Sequence, residues 1–184
     1  MLYACGSNNH SVLGNPDWGT ITSPELVKEY VDKIATGNNH AVAIDTKGYV
    51  FAWGTNLWGQ AAGESALDVQ TPQIVFSEDY VGDVKDVKAG SEHSIILSGD
   101  NSVITWGRNS GGQLGDGTKI DRARLLEVSG LSNIKMIAAG NGHTIAIEQN
   151  GTVWKWGQNP YGQFGNGTTQ NSYLPNNEFK VKTL

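Results

Sequence analysis

Short apolar runs alternate with clusters of glycine, asparagine and aspartate along the whole chain. Tyr49-Val50-Phe51-Ala52-Trp53, Ser102-Val103-Ile104-Thr105-Trp106 and Thr152-Val153-Trp154-Lys155-Trp156 are rich in β-branched and aromatic side chains and bounded by turn formers, the pattern of short strands. Upstream lie Ala41-Val42-Ala43-Ile44, Ser94-Ile95-Ile96-Leu97 and Thr144-Ile145-Ala146-Ile147. These near-continuous apolar runs predict strands covered on both faces. Between the two strands of each pair stand Asp45-Thr46-Lys47-Gly48, Ser98-Gly99-Asp100-Asn101 and Glu148-Gln149-Asn150-Gly151, which supply the positive φ angles that hairpin turns need. No segment carries a sustained helical stripe. Residues 25–35, opening Glu25-Leu26-Val27-Lys28-Glu29, read as a helical turn at most.

The strand pattern is part of an internal repeat. Trp-Gly recurs at Trp53-Gly54, Trp106-Gly107 and Trp156-Gly157, with Cys5-Gly6 as a degenerate copy, and the glycines are 48, 53 and 50 residues apart. A histidine (His40, His93, His143) stands 13 residues before each tryptophan and closes a Gly-x-x-His group that opens at Gly37, Gly90 or Gly140. After each Trp-Gly comes a loop with Asn8, Asn56, Asn109 or Asn159, and three of the four loops continue into Gly-Gln (Gly59-Gln60, Gly112-Gln113, Gly162-Gln163). Pro24, Pro72 and Pro175 follow further on, with Leu125 in the remaining copy. A unit of about 50 residues made of small antiparallel strands is a propeller blade or a similar solenoid element.

Composition narrows the function classes. Glycine supplies 24 of 184 residues beside six tryptophans, nearly double the average share of about 7%, which fits tight turns between short strands. Thirteen basic and 18 acidic residues leave a net charge of −5, and no Lys/Arg cluster stands out to grip a nucleic acid backbone. Apolar runs such as Ile95-Ile96-Leu97 are too short to cross a bilayer, and the opening Met1-Leu2-Tyr3-Ala4-Cys5 lacks the basic and apolar regions of a signal peptide. The expectation is a cytoplasmic or virion protein, bound neither to nucleic acid nor to a membrane.

At these residues the chain resembles the regulator-of-chromosome-condensation repeat, whose hallmark is Gly-x-x-His, a hairpin, then Trp-Gly-x-Asn-x-x-Gly-Gln-Leu-Gly. The resemblance implies an all-β propeller whose family rings usually have seven blades and serve as protein-binding platforms. Four Trp-Gly segments against three Gly-x-x-His segments imply a partial ring of about 3.5 blades in a single domain, 1–184, divided into a partial blade 1–33 and repeats 34–86, 87–136 and 137–184. Family members differ in activity, and fold alone does not choose among them. The leading expectation is a non-enzymatic protein-interaction or assembly module, such as a phage or virus structural accessory. The alternatives are a regulatory propeller, as a guanine nucleotide exchange factor or enzyme inhibitor is, and a carbohydrate-binding module. The acidic charge and absence of a basic tail depart from the exchange factor, so none of its residues is carried over.

Repeated residues read as scaffold. His40, His93 and His143 sit a blade apart, too far to share a metal whose ligands lie about 2.0–2.1 Å away, and are expected to bond blade backbone. Trp53, Trp106 and Trp156 are expected to pack between blades, and the loop asparagines to bond their own turns. Cys5, in a tryptophan slot, is expected to be buried. No nucleophile elbow, phosphate loop or metal motif occurs, so neither catalysis nor a cofactor is expected. The variable loop residues Leu57, Trp58, Tyr161 and His10, with Trp18 nearby, are the candidate partner-binding group, since Trp and Tyr anchor interfaces. The first strand, at Leu2 and Tyr3, lacks a hairpin partner, and an unpaired edge templates pairing. The alternating tail around Phe179 and Val181 is the candidate closing strand, in the same chain or, as the favoured expectation, between two copies; the alternative is an open arc whose edge a different protein caps.

Overall fold

The computed structural model describes residues 1–17, 19–61, 63–76 and 83–178. All regular structure among them is strand. β1 (Leu2–Ser7) and β2 (Thr20–Lys28) form a two-stranded sheet. Three four-stranded meanders follow: β3 (Val31–Thr36), β4 (His40–Asp45), β5 (Val50–Gly54) and β6 (Val69–Phe76); β7 (Val84–Ala89), β8 (His93–Ser98), β9 (Val103–Gly107) and β10 (Arg122–Glu127); β11 (Ile134–Ala139), β12 (His143–Glu148), β13 (Val153–Gly157) and β14 (Ser172–Asn176). All pairings are antiparallel. The sheets are taken below as blades one to four; β7 touches both β3 and β11, the corresponding first strands of the neighbouring blades.

The fixed interval between histidine and tryptophan is hairpin register. His40 pairs with Gly54 and Ala41 with Trp53; His93 with Gly107 and Ser94 with Trp106; His143 with Gly157 and Thr144 with Trp156. The turn between the strands fixes that pairing. Gly48 (φ 86°) and Gly151 (φ 92°) take the left-handed position at two turns, and Asn101 (φ 70°) takes it at the third, the non-glycine residue that tolerates it best.

The core lies between blades. Val42, Ile44, Val50 and Ala52 of the second blade meet Val87, Ile96, Ile104 and Trp106 of the third. Ile95, Leu97 and Val103 of the third meet Ile137, Ala146 and Trp156 of the fourth. β4 and β8, covered on both sides, are buried at every position, whereas β12 in the fourth blade alternates between buried and half-buried. Strands at equivalent places in the repeat therefore differ in burial with what stands beside them.

Three expectations change. Residues 25–35 are not helical: they end β2, turn at Tyr30 (φ 58°) and begin β3. The repeat boundaries 33/34, 86/87 and 136/137 fall inside β3, β7 and β11, because the first strand of a blade precedes each Gly-x-x-His group. Cys5 is exposed. Its slot faces away from the second blade, and nothing among the described residues covers it.

Candidate partner-binding face

The loops after β1, β5, β9 and β13 are four copies of one structure. The Asn side-chain oxygen accepts a backbone N–H five residues on: Asn8 from Leu13 at 2.9 Å, Asn56 from Ala61 at 2.8 Å, Asn109 from Leu114 at 3.0 Å and Asn159 from Phe164 at 2.9 Å. Gln60, Gln113 and Gln163 accept the N–H of Trp58, Gly111 and Tyr161 through Oε1 at 2.8–2.9 Å. These residues hold the loop and leave its tip positions free to vary.

Neighbouring blades are joined by a repeated set of bonds. Trp106 Nε1 donates to Gln60 O at 3.0 Å and Trp156 Nε1 to Gln113 O at 2.9 Å. Trp53 Nε1 donates to Val12 O, at the same loop position, at 2.9 Å. Ser94 and Thr144 donate their hydroxyls to the same Gln60 and Gln113 carbonyls. Having donated, each hydroxyl accepts from a histidine of the preceding blade, His40 Nε2 at 3.0 Å and His93 Nε2 at 3.1 Å. The histidines thus bond a neighbouring blade's side chain, where a bond to blade backbone was expected, because the imidazole lies over the glycine of its own Gly-x-x-His: a Cβ on Gly37 or Gly90 would strike the ring. Both imidazoles are neutral, with Nδ1 unpartnered, and burial lowers the pKa of His40 to about 4 and of His93 to about 3.

The variable positions are a different matter. His10, Trp58, Gly111 and Tyr161 occupy one place in successive loops, and no hydrogen bond, ion pair or ring contact joins any two of them among the described residues. The first three are instead met from the following blade. His10 Nδ1 lies 3.7 Å from Asp68. The Arg108 guanidinium stands 4.9 Å over the Trp58 ring, held by Glu92 and Ser110. Gln158 fills the space over Gly111. Tyr161, in the fourth blade, is 90% exposed. Among the described residues, only the second loop combines an aromatic ring with an exposed aliphatic neighbour and a hollow: Leu57 is 58% exposed, and Leu57, Trp58, Glu64, Asp121 and Ala123 line a cavity of about 170 Å³. Asp121 holds the Asn109 N–H at 2.6 Å with one carboxylate oxygen.

Sequence reasoning found Leu57 and Trp58 and missed Arg108, Asp121 and Ala123, which the third blade contributes. Their signal was departure from the repeat: Arg108 replaces Thr55 and Gln158, and Ala123 replaces Tyr173. Leu2 packs on the core between the first two blades, while Tyr3 is exposed and paired with Leu26. Trp18, Phe179 and Val181 lie outside the described residues. Among the described residues, no group of His, Cys, Asp and Glu is placed to hold a metal ion.

Meander blades stacked through tryptophan, histidine and hydroxyl bonds define a β-propeller repeat protein. The chain belongs to the regulator of chromosome condensation (RCC1) repeat family: one model of that repeat matches residues 31–60, 84–113 and 134–163, and a second matches 100–147 and 150–184. The ultraviolet-B receptor UVR8 of Arabidopsis thaliana is 32% identical over 126 residues, 66% of this chain and 28% of the receptor. The probable E3 ubiquitin-protein ligase HERC6 of Homo sapiens is 35% identical over 146 residues, 72% of this chain and 14% of the ligase. Among solved structures, yeast RCC1 (Prp20) bound to Kap60 superposes with a TM-score of 0.83 at 24% identity, over 100% of this chain and 45% of that one. Human WBSCR16 superposes with a TM-score of 0.83 at 24% identity, over 94% and 47%. The chain spans less than half the length of each of these proteins. Propellers of this family are interaction or regulatory modules.

Proposed function

We propose that this chain is a non-enzymatic protein-binding module that engages its partner through the loop face at the seam of the second and third blades. The observation that carries it is the second loop's tip, where exposed Leu57, half-buried Trp58 and a cavity edged by Glu64 and Asp121 interrupt an otherwise repetitive surface. An aromatic ring in a small hollow ringed by polar groups has the anatomy of an interface anchor. The solved complex of yeast RCC1 with Kap60 supports the reading as a case of such a propeller bound to a protein. The test is affinity capture from cell extract with the native chain and with the Leu57→Ser/Trp58→Ser variant. A protein retained by the first and lost by the second, at matched thermal stability, is the expected result. Equal retention by both refutes the assignment of this face.

A second reading rests on β1. Its counterpart β5 lies between β4 and β6, but β1 pairs only with β2 among the described residues. Its open edge fits an added strand from a partner or a second copy, and concentration-dependent mass in sedimentation tests the latter.

A further inference from the structure

Charge is settled differently at each of the three seams. Between the first and second blades, the loop tip His10 lies 3.7 Å from the Asp68 carboxylate. The equivalent pair between the third and fourth blades is Gly111 and Asn171, both uncharged. Between the second and third blades it is Trp58 and Asp121. Asp121 Oδ1 accepts the Asn109 N–H at 2.6 Å, and Oδ2 accepts no hydrogen bond and meets no cation among the described residues. The loop does not require that charge, since Asn171 holds the Asn159 N–H at 2.9 Å through its own Oδ1. Beside the carboxylate, Gly59 lies on Ala123 as Gly112 lies on Tyr173, and the missing ring leaves the hollow of about 170 Å³. Among the described residues, Glu64 and Asp121 are the only charged groups that line it. Glu64 is already held by Arg124 at 2.6 Å, in a pair open to solvent.

We infer that this hollow is a pocket for one lysine side chain of the protein partner, an assignment that rests on the partner face proposed above. Its volume falls below the roughly 300–1,000 Å³ of small-molecule sites and suits a single side chain. The aliphatic stem lies along Leu57 and Trp58, and the ammonium takes at Asp121 the place that His10 takes at Asp68. The cation is an ammonium because Asn109 already occupies one Asp121 oxygen. A guanidinium fork is matched by both oxygens of a carboxylate, whereas a point charge with rotatable donors needs only one. A neutral or acidic side chain closing over Asp121 would leave a buried, unpaired charge, which excludes it. The chain's net charge of −5 favours a basic partner in the same sense.

The test titrates the full chain, labelled for amide and indole NMR, with a capped pentapeptide whose central lysine is flanked by leucine and serine. A second peptide carries Nε-acetyl-lysine, which keeps the stem and loses the charge. Shifts at Leu57, the Trp58 indole, Asp121 and Ala123 are expected with the first. The second should bind about tenfold more weakly, the loss of a hydrogen bond to a charged group. Asp121→Asn should weaken the lysine peptide by the same factor and leave the acetylated one unchanged, while the loop persists because Asn171 makes the same bond. Ala123→Tyr, which supplies the ring present at Tyr173, should fill the hollow and abolish the shifts. No shift at millimolar lysine peptide, or equal binding of the two peptides, overturns the pocket. The captured partner separates this failure from that of the face. If Leu57→Ser/Trp58→Ser loses it and Asp121→Asn keeps it at full affinity, the face stands and the lysine pocket falls; retention by both variants refutes the face itself.

Discussion

Acid should unfold this protein through His40 and His93, well before its carboxylates titrate. Both imidazoles are neutral and fully buried, and burial holds their pKa at about 4 and about 3. In the unfolded chain each titrates near 6.5. Below that pH the unfolded state binds more protons than the folded one, so stability is fully present above about 6.5 and falls as pH drops toward the native values. Each pH unit in this window costs about 1.4 kcal/mol per histidine, so going from about pH 7.5 to about pH 5 removes about 2 kcal/mol for each and about 4 kcal/mol for the pair. Asp100 and Asp116, whose pKa values are also lowered, in part by hydrogen bonds from Ser98 and Thr118, contribute their losses only below the ordinary carboxylate range. The assay is urea unfolding followed by tryptophan fluorescence at several pH values across the window. His40→Gln/His93→Gln should flatten the dependence, since glutamine cannot be protonated there. Native-chain stability that stays level from pH 7.5 to 5 would show that the histidines are hydrated or already charged, and the seam as described would be wrong.

Three further outcomes follow from the same seams. Trp106→Ala removes a fully buried ring and its bond to Gln60 O and should cost about 3–5 kcal/mol; an unchanged thermal midpoint would contradict the blade register. Gly90→Ala drives a Cβ into the His93 ring and should cost about 1–3 kcal/mol of overpacking, part of which His93→Ala restores in the double variant; additive losses in that cycle would show that ring and glycine do not meet. Cys5 is exposed, so a thiol reagent should modify it in the native protein as fast as in urea, and protection until unfolding would mean that a neighbour covers the slot.

Much of the scaffold was legible because each contact occurs several times. Gly-x-x-His, Trp-Gly and Asn-x-x-Gly-Gln recur at fixed spacing, and each spacing maps onto a bond: hairpin register for histidine and tryptophan, side chain to backbone for asparagine and glutamine. The first strands of these blades were harder. β3, β7 and β11 read Val-Asp-Lys-Ile-Ala-Thr, Val-Lys-Asp-Val-Lys-Ala and Ile-Lys-Met-Ile-Ala-Ala. Their exposed positions carry charge or length freely, so only two or three apolar residues per strand are constrained and no motif emerges. For the same reason Glu25–Ala35 passed for a helical turn, because a lightly covered strand shows too few buried positions to declare its period.

The candidate site was legible only in part, and the reason is directional. Position in a repeat says which side chains are equivalent, not which of them the next blade covers. Trp58 and Tyr161 stand at the same loop position and look interchangeable in sequence. In the fold the first is stacked beneath Arg108, while the second is 90% exposed at the open face of the fourth blade. Cys5 shows the same asymmetry from the other end. A slot that buries tryptophan three times leaves the thiol exposed, because burial comes from the preceding blade's loop, as Val12 O, Gln60 O and Gln113 O show. Exposure therefore has two physical origins in this chain. Tyr161 and Cys5 are exposed because, among the described residues, no neighbouring blade stands on their side of the seam. Leu57 is exposed where both sides of the seam are already in place, between the second and third blades. A residue left apolar at a completed seam has no packing reason to be so, which is why the loop tip at Leu57 and Trp58, and not the more exposed Tyr161, is assigned to the partner.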